Sequence, residues 1–282
     1  MPWFKSPRTA YLALITVMLP VGAGVMASAA RPVARPQRIV SFNMCADQYL
    51  LALADPAQIA GLTRNATNRE LSAAADKVGR IHILSSAAEE VMAINPDLVV
   101  GAPARRGLMM EALAGQNYRT VPLESAESYA DIVAQIRTVA AAVGHVARGE
   151  ALVARMDRAL TALPKAGQGK VAAYYQRRGF LTGTGTLIDE LMRRVGLVNL
   201  AGRLGKPVLS QMSLEELMVA RPDYLIVESA TDRVTDQGTE MLHHPLLRHI
   251  PRLRIPQAWK VCGGPAYVLA AESLVSQLRA RR

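Results

Sequence analysis

Residues 89–98 read Glu89-Glu90-Val91-Met92-Ala93-Ile94-Asn95-Pro96-Asp97-Leu98, and residues 215–224 repeat the pattern as Glu215-Glu216-Leu217-Met218-Val219-Ala220-Arg221-Pro222-Asp223-Tyr224. Five of the ten positions are identical, and each copy runs directly into an apolar stretch. A helical turn that stops before proline and continues as a buried strand forms one supersecondary unit. Because each half of the chain contains this unit, the sequence predicts two similar lobes with a cleft between them.

The first 29 residues have the composition of an export signal. Lys5 and Arg8 precede an almost wholly apolar run over residues 9–26, and Ala27-Ser28-Ala29 offers the small-x-small pattern of a signal-peptidase site. A membrane anchor is the alternative, but the run is only marginally long enough to span a bilayer and no stop-transfer segment follows. No cysteine follows the run closely, which disfavours a lipoprotein. We therefore expect cleavage near Ala29 and a soluble, exported protein.

The composition indicates a globular protein. Half of the 282 residues are hydrophobic, which supports real cores, and the formal net charge is +10. The arginines are scattered, with no run longer than two before the C-terminal tail, and aromatic residues make up 5% of the chain. A nucleic-acid-binding stripe is therefore disfavoured. Anionic ligands or a charged partner surface fit this charge better.

Predicted strands and helices alternate in both halves of the chain, which indicates parallel α/β packing. In the first half the predicted strands are 38–42, 58–62, 80–84, 98–102 and 120–123, and the helices are 47–54, 108–115 and 129–143. In the second half the strands are 171–175 and 224–228, and the helices are 186–195, one after Ser213, and 266–278. Between the halves, residues 146–163 read as one amphipathic helix of about 27 Å. This pattern fits a rod between lobes and an ordinary packed helix equally well.

The signal peptide, the opening strand Arg38-Ile39-Val40-Ser41 and the repeated Glu-Glu-x-Met-x-x-x-Pro-Asp phrase resemble one family over essentially the whole mature chain. The chain is similar to the class III periplasmic substrate-binding proteins of ABC importers, which carry ferric siderophores, haem or cobalamin. The resemblance implies two parallel-sheet α/β lobes joined by one long interlobe helix, with the ligand in the cleft between them. The expected organisation is a signal peptide at 1–29, an N-terminal lobe at 30–145, a connecting helix at 146–164 and a C-terminal lobe at 165–282. It also implies a monomer without catalytic residues and an ABC permease dimer of the inner membrane as partner.

The resemblance further assigns one permease-docking acid to each lobe, Glu89 and Glu215. Two like-charged side chains on a pseudo-symmetric body suit a two-fold symmetric permease. Alternatively, Glu89 closes its own helix start, since Ser86-x-x-Glu89 matches a capping box. In the second copy the matching spacing joins Ser213 to Glu216 and leaves Glu215 free. The neighbours Glu90 and Glu216 are candidates to replace the two docking acids.

Ligands of open parallel sheets lie beyond the carboxyl ends of the strands, and this rule selects five loops. They cover residues 43–46, 103–107, 176–181, 229–232 and 259–265. The predicted ligand-binding residues are Asn43, Met44, Cys45, Arg105, Arg106, Tyr175, Arg177, Arg178 and Trp259. The arginine pairs would face each other across the cleft, unless they are solvated loop charges. Since guanidinium groups suit carboxylate or catecholate oxygens, a ferric siderophore is favoured over the largely neutral cobalamin, and no resident cofactor or protein-bound metal is expected.

Cys45 and Cys262 both fall in these cleft-edge loops, and three interpretations are open. A disulfide would close a very long loop and contribute roughly 4–5 kcal/mol by the entropy model. Two thiolates could instead bind a soft metal, although no His, Asp or Glu cluster accompanies them. The third interpretation is a pair of buried, inert thiols.

The alternative functions rest on weaker motifs. A secreted enzyme would use Cys45 as nucleophile or a metal site near His243, where His244 and His249 are close in sequence. Against it, no base lies beside Cys45, no Gly-x-Ser-x-Gly elbow occurs, and adjacent histidines point in different directions. A third class is a two-lobed domain with a degenerate ligand site.

Overall fold

Two four-stranded parallel sheets form the framework, and they have the same strand order. The computed structural model describes residues 34–85, 87–102, 116 and 118–281. The first sheet contains β1 (Ile39–Ser41), β2 (Ile59–Gly61), β3 (Leu98–Ala102) and β4 (Thr120–Pro122), in the order β2-β1-β3-β4. The second contains β5 (Val171–Tyr174), β7 (Val198–Asn199), β9 (Tyr224–Glu228) and β10 (Arg252–Ile255), in the order β7-β5-β9-β10. In each sheet the second strand therefore pairs with the first, the first with the third, and the third with the fourth.

Helices and one small ribbon complete the fold. The α-helices are Met44–Leu53, Ala88–Ile94, Tyr129–Val143, Val146–Thr161, Leu187–Arg194, Leu200–Arg203, Leu214–Ala220, Gln237–Glu240 and Tyr267–Arg279 in the described part of the chain. Strands β6 (Phe180–Thr182) and β8 (Leu209–Gln211) pair antiparallel beside the second sheet. None of the helices in the described residues is both long and apolar enough to cross a bilayer.

The two copies of the repeated phrase have the same local structure. Helices Ala88–Ile94 and Leu214–Ala220 end at Asn95 and Arg221, whose φ angles of 48° and 44° lie in the left-handed region. The proline that follows in each copy prevents the helix from continuing.

The aspartate of each copy then binds the start of the neighbouring strand. Asp97 accepts hydrogen bonds from the backbone amides of Gln37 (2.8 Å) and Arg38 (2.9 Å), just before β1. Asp223 accepts from the amide of Val171 (2.8 Å) at the start of β5 and from Lys170 Nζ (3.0 Å). The Pro-Asp dipeptide therefore ends the helix and aligns the third strand with the first in both sheets.

Helix Val146–Thr161 connects the two sheets and packs closely on its neighbours. It buries Gly149, Val153, Met156 and Leu160. A Cβ atom at Gly149 would lie 2.5 Å from the Cβ of Ala140, so glycine permits the close approach to helix Tyr129–Val143. At the start of the connecting helix, Arg148 donates to the carbonyl of Leu53 (2.8 Å) and to Asp55 (2.6 Å). These contacts attach the helix to the first lobe.

The largest hydrophobic cluster contains residues of both sheets, including Ile39, Leu98, Tyr174 and Ile226. Along β5 and β9 alternate residues face this shared core, and those between them form a second cluster on the other face of the sheet. The described residues from Arg35 onward accordingly form one compact unit.

Some predicted elements differ from the structure. The strand predicted at 80–84 is wrong: Ile83 makes only an isolated parallel bridge with Leu62, and no strand forms over these residues. Residues 44–46 were expected in a loop, but they begin helix Met44–Leu53 because Asn43 caps it. The predicted loop 176–181 contains the first residues of β6. The helix predicted at 108–115 lies outside the described residues.

Candidate functional site

A cavity of about 430 Å³ opens beyond the carboxyl ends of β5 and β9. Its lining residues all belong to the second lobe: Tyr175, Gln176, Arg177, Arg178, Phe180, Leu209, Glu228 and Thr231. Tyr175 is fully buried, and its hydroxyl donates to the carbonyl of Met212 at 2.7 Å. This hydrogen bond fixes the phenol in the cavity wall, and the hydroxyl proton is therefore not available to a ligand.

The two cavity arginines differ in their partners. Arg177 is paired with Asp236. Arg178 is exposed, has a left-handed backbone (φ 57°), and has no acidic partner among the described residues. Of the two guanidinium groups, Arg178 is thus the one available to a ligand.

Glu228, at the end of β9, is a cavity residue that the sequence analysis did not single out. Its Oε1 accepts a hydrogen bond from the Tyr174 hydroxyl (2.9 Å) and forms an ion pair with Lys260 Nζ (2.5 Å). Lys260 Nζ also lies 5.3 Å from the centroid of the Tyr174 ring. Burial raises the pKa of Tyr174 well above its usual value, so this phenol is a neutral donor. The strand-end rule could have identified Glu228, since it is the last residue of a predicted strand.

In the first lobe, Asn43 joins the carboxyl ends of β1 and β3. Its Oδ1 accepts from the amides of Cys45 (3.0 Å) and Ala46 (2.8 Å), and its Nδ2 donates to the carbonyl of Gly101 (2.6 Å). Gly101 has φ 81°, and a Cβ there would lie 2.8 Å from Asn43 Nδ2. The amide of Asn43 is therefore engaged by the protein, and half-buried Met44 begins the capped helix. Ligand contacts of both residues stay a prediction.

Cys45 and Cys262 are joined in a disulfide, with their Cα atoms 5.0 Å apart. The pair links the first turn of helix Met44–Leu53 to the loop before helix Tyr267–Arg279. Neither cysteine is a free thiol. A Cys45 nucleophile and a dithiolate metal site both require the bond to be reduced.

The four glutamates of the repeat form two groups, one engaged in hydrogen bonds at the helix starts and one not. Glu90 accepts from the amide (2.7 Å) and hydroxyl (2.6 Å) of Ser85 and is 2.7 Å from His82 Nε2. The hydrogen bond from the Ser85 hydroxyl, followed by the contact with His82, lowers the pKa of Glu90 to about 2. Glu216 makes the equivalent helix-start bond to the amide of Ser213 (2.8 Å).

Glu89 and Glu215 are exposed, and neither side chain makes a hydrogen bond or ion pair with the described residues. The capping residue of the first helix is Ala87, and Ser86 lies outside the described residues. The two helix starts thus engage Glu90 and Glu216 and leave one acid free in each lobe.

The histidine motif does not form a metal cluster in the described part of the chain. His243 Nε2 is 2.8 Å from the carbonyl of Thr231, and His244 Nδ1 accepts from the amide of Leu246 (3.3 Å). Each ring is therefore used in a local hydrogen bond.

The structure brings together three predicted ligand residues, Tyr175, Arg177 and Arg178, in the second-lobe cavity. Asn43, Met44 and Cys45 lie in the first lobe, and Trp259 packs partly buried against the shared core. Arg105 and Arg106 lie outside the described residues. A chain of contacts nevertheless connects the lobes at this end, because Glu228 binds Lys260, two residues before the disulfide.

Comparison with known proteins gives a consistent result. The family model described as periplasmic binding protein matches residues 39–254. The vitamin B12-binding protein of Pectobacterium carotovorum subsp. carotovorum is 26% identical over 203 residues, covering 68% of this chain and 71% of that protein.

Solved structures share the fold. The periplasmic heme-binding protein RhuT of Roseiflexus sp. RS-1 superposes with a TM-score of 0.67 at 21% identity, over 86% of this chain and 98% of that one. The periplasmic vitamin B12-binding protein BtuF of Vibrio cholerae gives a TM-score of 0.61 at 13% identity, over 87% and 98%.

Proposed function

The chain belongs to the periplasmic binding proteins, in the class III family of haem, siderophore and vitamin B12 transport, and we propose from this membership that it captures a metal chelate in the periplasm and delivers it to an ABC permease dimer in the inner membrane. Members of the family bind small metal chelates and work with ABC permeases. They are substrate-binding transport proteins, and receptor function without catalysis is our proposal for this chain. Export through cleavage near Ala29 and a monomeric state belong to the same proposal.

The chelate proposed is of the cobalamin class, and the observation that carries this choice is the pairing of charges around the cavity. Asp236 neutralises Arg177, and Glu228 neutralises Lys260, so Arg178 is the unpaired cation among the described lining residues. A highly anionic chelate would find little excess positive charge here. The carboxylate of Glu228 can accept N–H groups from amide side chains of a corrinoid, and it would repel carboxylates. The name of the Pectobacterium relative supports the same choice.

A ferric siderophore is the second candidate. Arg178 favours it, and so would the predicted contacts of Arg105 and Arg106 from the other side of the cleft. The paired state of Arg177 is the reason that we place it second.

Binding of a ligand panel to the mature protein tests both candidates. Calorimetry, with quenching of Trp259 fluorescence as a second readout, would compare cyanocobalamin, haemin, a ferric hydroxamate and a ferric catecholate. We expect cyanocobalamin to bind most tightly and Glu228→Ala to weaken it, with Glu70→Ala on the exposed surface as the matched control. Tighter binding of a ferric siderophore would reverse the choice of chelate. Failure of every chelate to bind would remove the receptor proposal.

A further inference from the structure

A second cavity, of about 640 Å³, lies along β10, the edge strand of the second sheet. Its lining residues are Asp232, His243, Arg248, Arg252 and Arg254. Three guanidinium groups and an imidazole therefore surround one carboxylate. This set is separate from the cavity at the strand ends, which is lined by other residues.

The single carboxylate is already engaged. Arg254 Nε donates to both oxygens of Asp232, at 2.8 and 2.9 Å. This ion pair offsets part of the positive charge of Arg254. The remaining arginines, Arg248 and Arg252, have no carboxylate hydrogen-bonded to them among the described residues.

Arg252 is the least exposed of the three arginines. It is half-buried, it donates to the carbonyl of Leu242, and it follows Pro251 at the start of β10. Burial, together with the nearby positive charge of Arg254, lowers the pKa of its guanidinium. Arg281 adds a further positive charge, since its Nη2 donates to the carbonyl of Arg252 at 2.8 Å. An anion placed here would relieve the repulsion between these groups.

The histidine His243 lies in the wall of the same cavity. A carbonyl oxygen can only accept, so His243 Nε2 carries the hydrogen that it shares with Thr231. This bond holds the ring at the cavity wall. His243 therefore helps to shape the cavity, and no group of three or more metal-ligating side chains forms in the described residues.

We propose that this cavity binds an oxyanion of the phosphate class, held by the planar forks of Arg248 and Arg252. Two guanidinium groups with free N–H donors match the oxygens of a phosphate in charge and in geometry. The anion can be free phosphate or the phosphate of a lipid headgroup, because both present the same oxygens. The site does not depend on the identity of the transported chelate.

Calorimetric titration of the mature protein with inorganic phosphate tests the site, and co-sedimentation with phosphatidylglycerol vesicles, against phosphatidylcholine vesicles, tests the lipid source. We expect saturable binding in at least one of the two experiments. Arg248→Gln with Arg252→Gln should weaken it by about tenfold or more, because charge-assisted hydrogen bonds are lost. Arg155→Gln, at an exposed arginine of the connecting helix, is the control and should leave it unchanged.

The outcomes distinguish free phosphate from the phosphate of a lipid headgroup. Phosphate binding identifies the free anion, and binding to anionic vesicles alone identifies the headgroup. If the double variant unfolds, Arg248→Gln alone is measured, since Arg248 is exposed and carries no structural hydrogen bond from its side chain in the described residues. No saturable binding to either probe, or equal binding by the arginine variants and the control, would overturn the proposal.

Discussion

The hydroxyl of Tyr49 donates a hydrogen bond of 2.9 Å to the carbonyl oxygen of Gly263. Tyr49 is fully buried and lies one helical turn after Cys45, and Gly263 directly follows Cys262. The hydrogen bond and the disulfide therefore connect the same helix of the first lobe to the same loop of the second. One hydrogen bond and one disulfide therefore join the lobes at the end of the molecule that holds the cavity. They limit how far the lobes can separate there.

Reduction of the disulfide should lower stability substantially. The cysteines are 217 residues apart, so the bond restricts the unfolded chain strongly, by about 5 kcal/mol in the entropy model. Urea unfolding with and without reductant measures the difference. The Cys45→Ser, Cys262→Ser variant should show the lower stability under both conditions, and a reductant effect in this variant would show that the loss has another source.

Tyr49→Phe should destabilise the protein by about 1–3 kcal/mol, because it leaves the buried carbonyl of Gly263 without its donor. Thermal unfolding of the oxidised protein detects this change. Tyr118→Phe, at a phenol with no hydrogen bond to the described residues, is the control. Equal stability of Tyr49→Phe and wild type would mean that water replaces the hydroxyl.

Charge reversal of the free acids should separate delivery from ligand binding. Glu89→Arg with Glu215→Arg should reduce chelate uptake to near background, since like charges would then face the basic side chains expected on the permease. Chelate affinity in solution should change less than about twofold, because both residues are exposed and neither lines the cavity. Glu70→Arg, another exposed acid, is the matched control, and normal uptake by the double variant would refute the docking roles.

Low pH should weaken the hydrogen bonds by which Glu90 stabilises the start of helix Ala88–Ile94. Its pKa is lowered from 4.5 to about 2 in the folded protein, so its contribution to stability is complete above pH 4.5 and is lost as the pH falls towards 2. Glu90→Gln should therefore be less stable than wild type at pH 7, and the difference should shrink through this range. Unfolding measured from pH 7 to 2.5 shows the trend. A difference that does not depend on pH would contradict the assignment.

Much of the framework could be read from local patterns. The repeated phrase predicted the duplicated lobes, because a proline that follows a helical pattern prevents the helix from continuing and an apolar run after it pairs as a strand. The connecting helix was predicted at 146–163 and ends two residues earlier in the structure. The strand predicted at 80–84 failed because an apolar run forms a strand only when a partner strand accompanies it along its length.

The cavity could be predicted only in outline. The strand-end rule located Tyr175, Arg177 and Arg178, but it counted both arginines as free charges. Asp236, which pairs with Arg177, is far from it in sequence, so no local signal revealed the pairing.

The sequence by itself determined that the chain has two α/β halves with an acidic phrase in each, since periodicity, proline and glycine act through the nearest residues. Tertiary structure decided that Glu90 and not Glu89 is engaged in the first phrase, that Cys45 meets Cys262, and that Glu228 binds Lys260. These choices depend on which side chains the packing brings within a few ångströms of each other. Ion pairs and hydrogen bonds form only between groups that are close in space. Closeness in space cannot be read from the separation of residues along the chain.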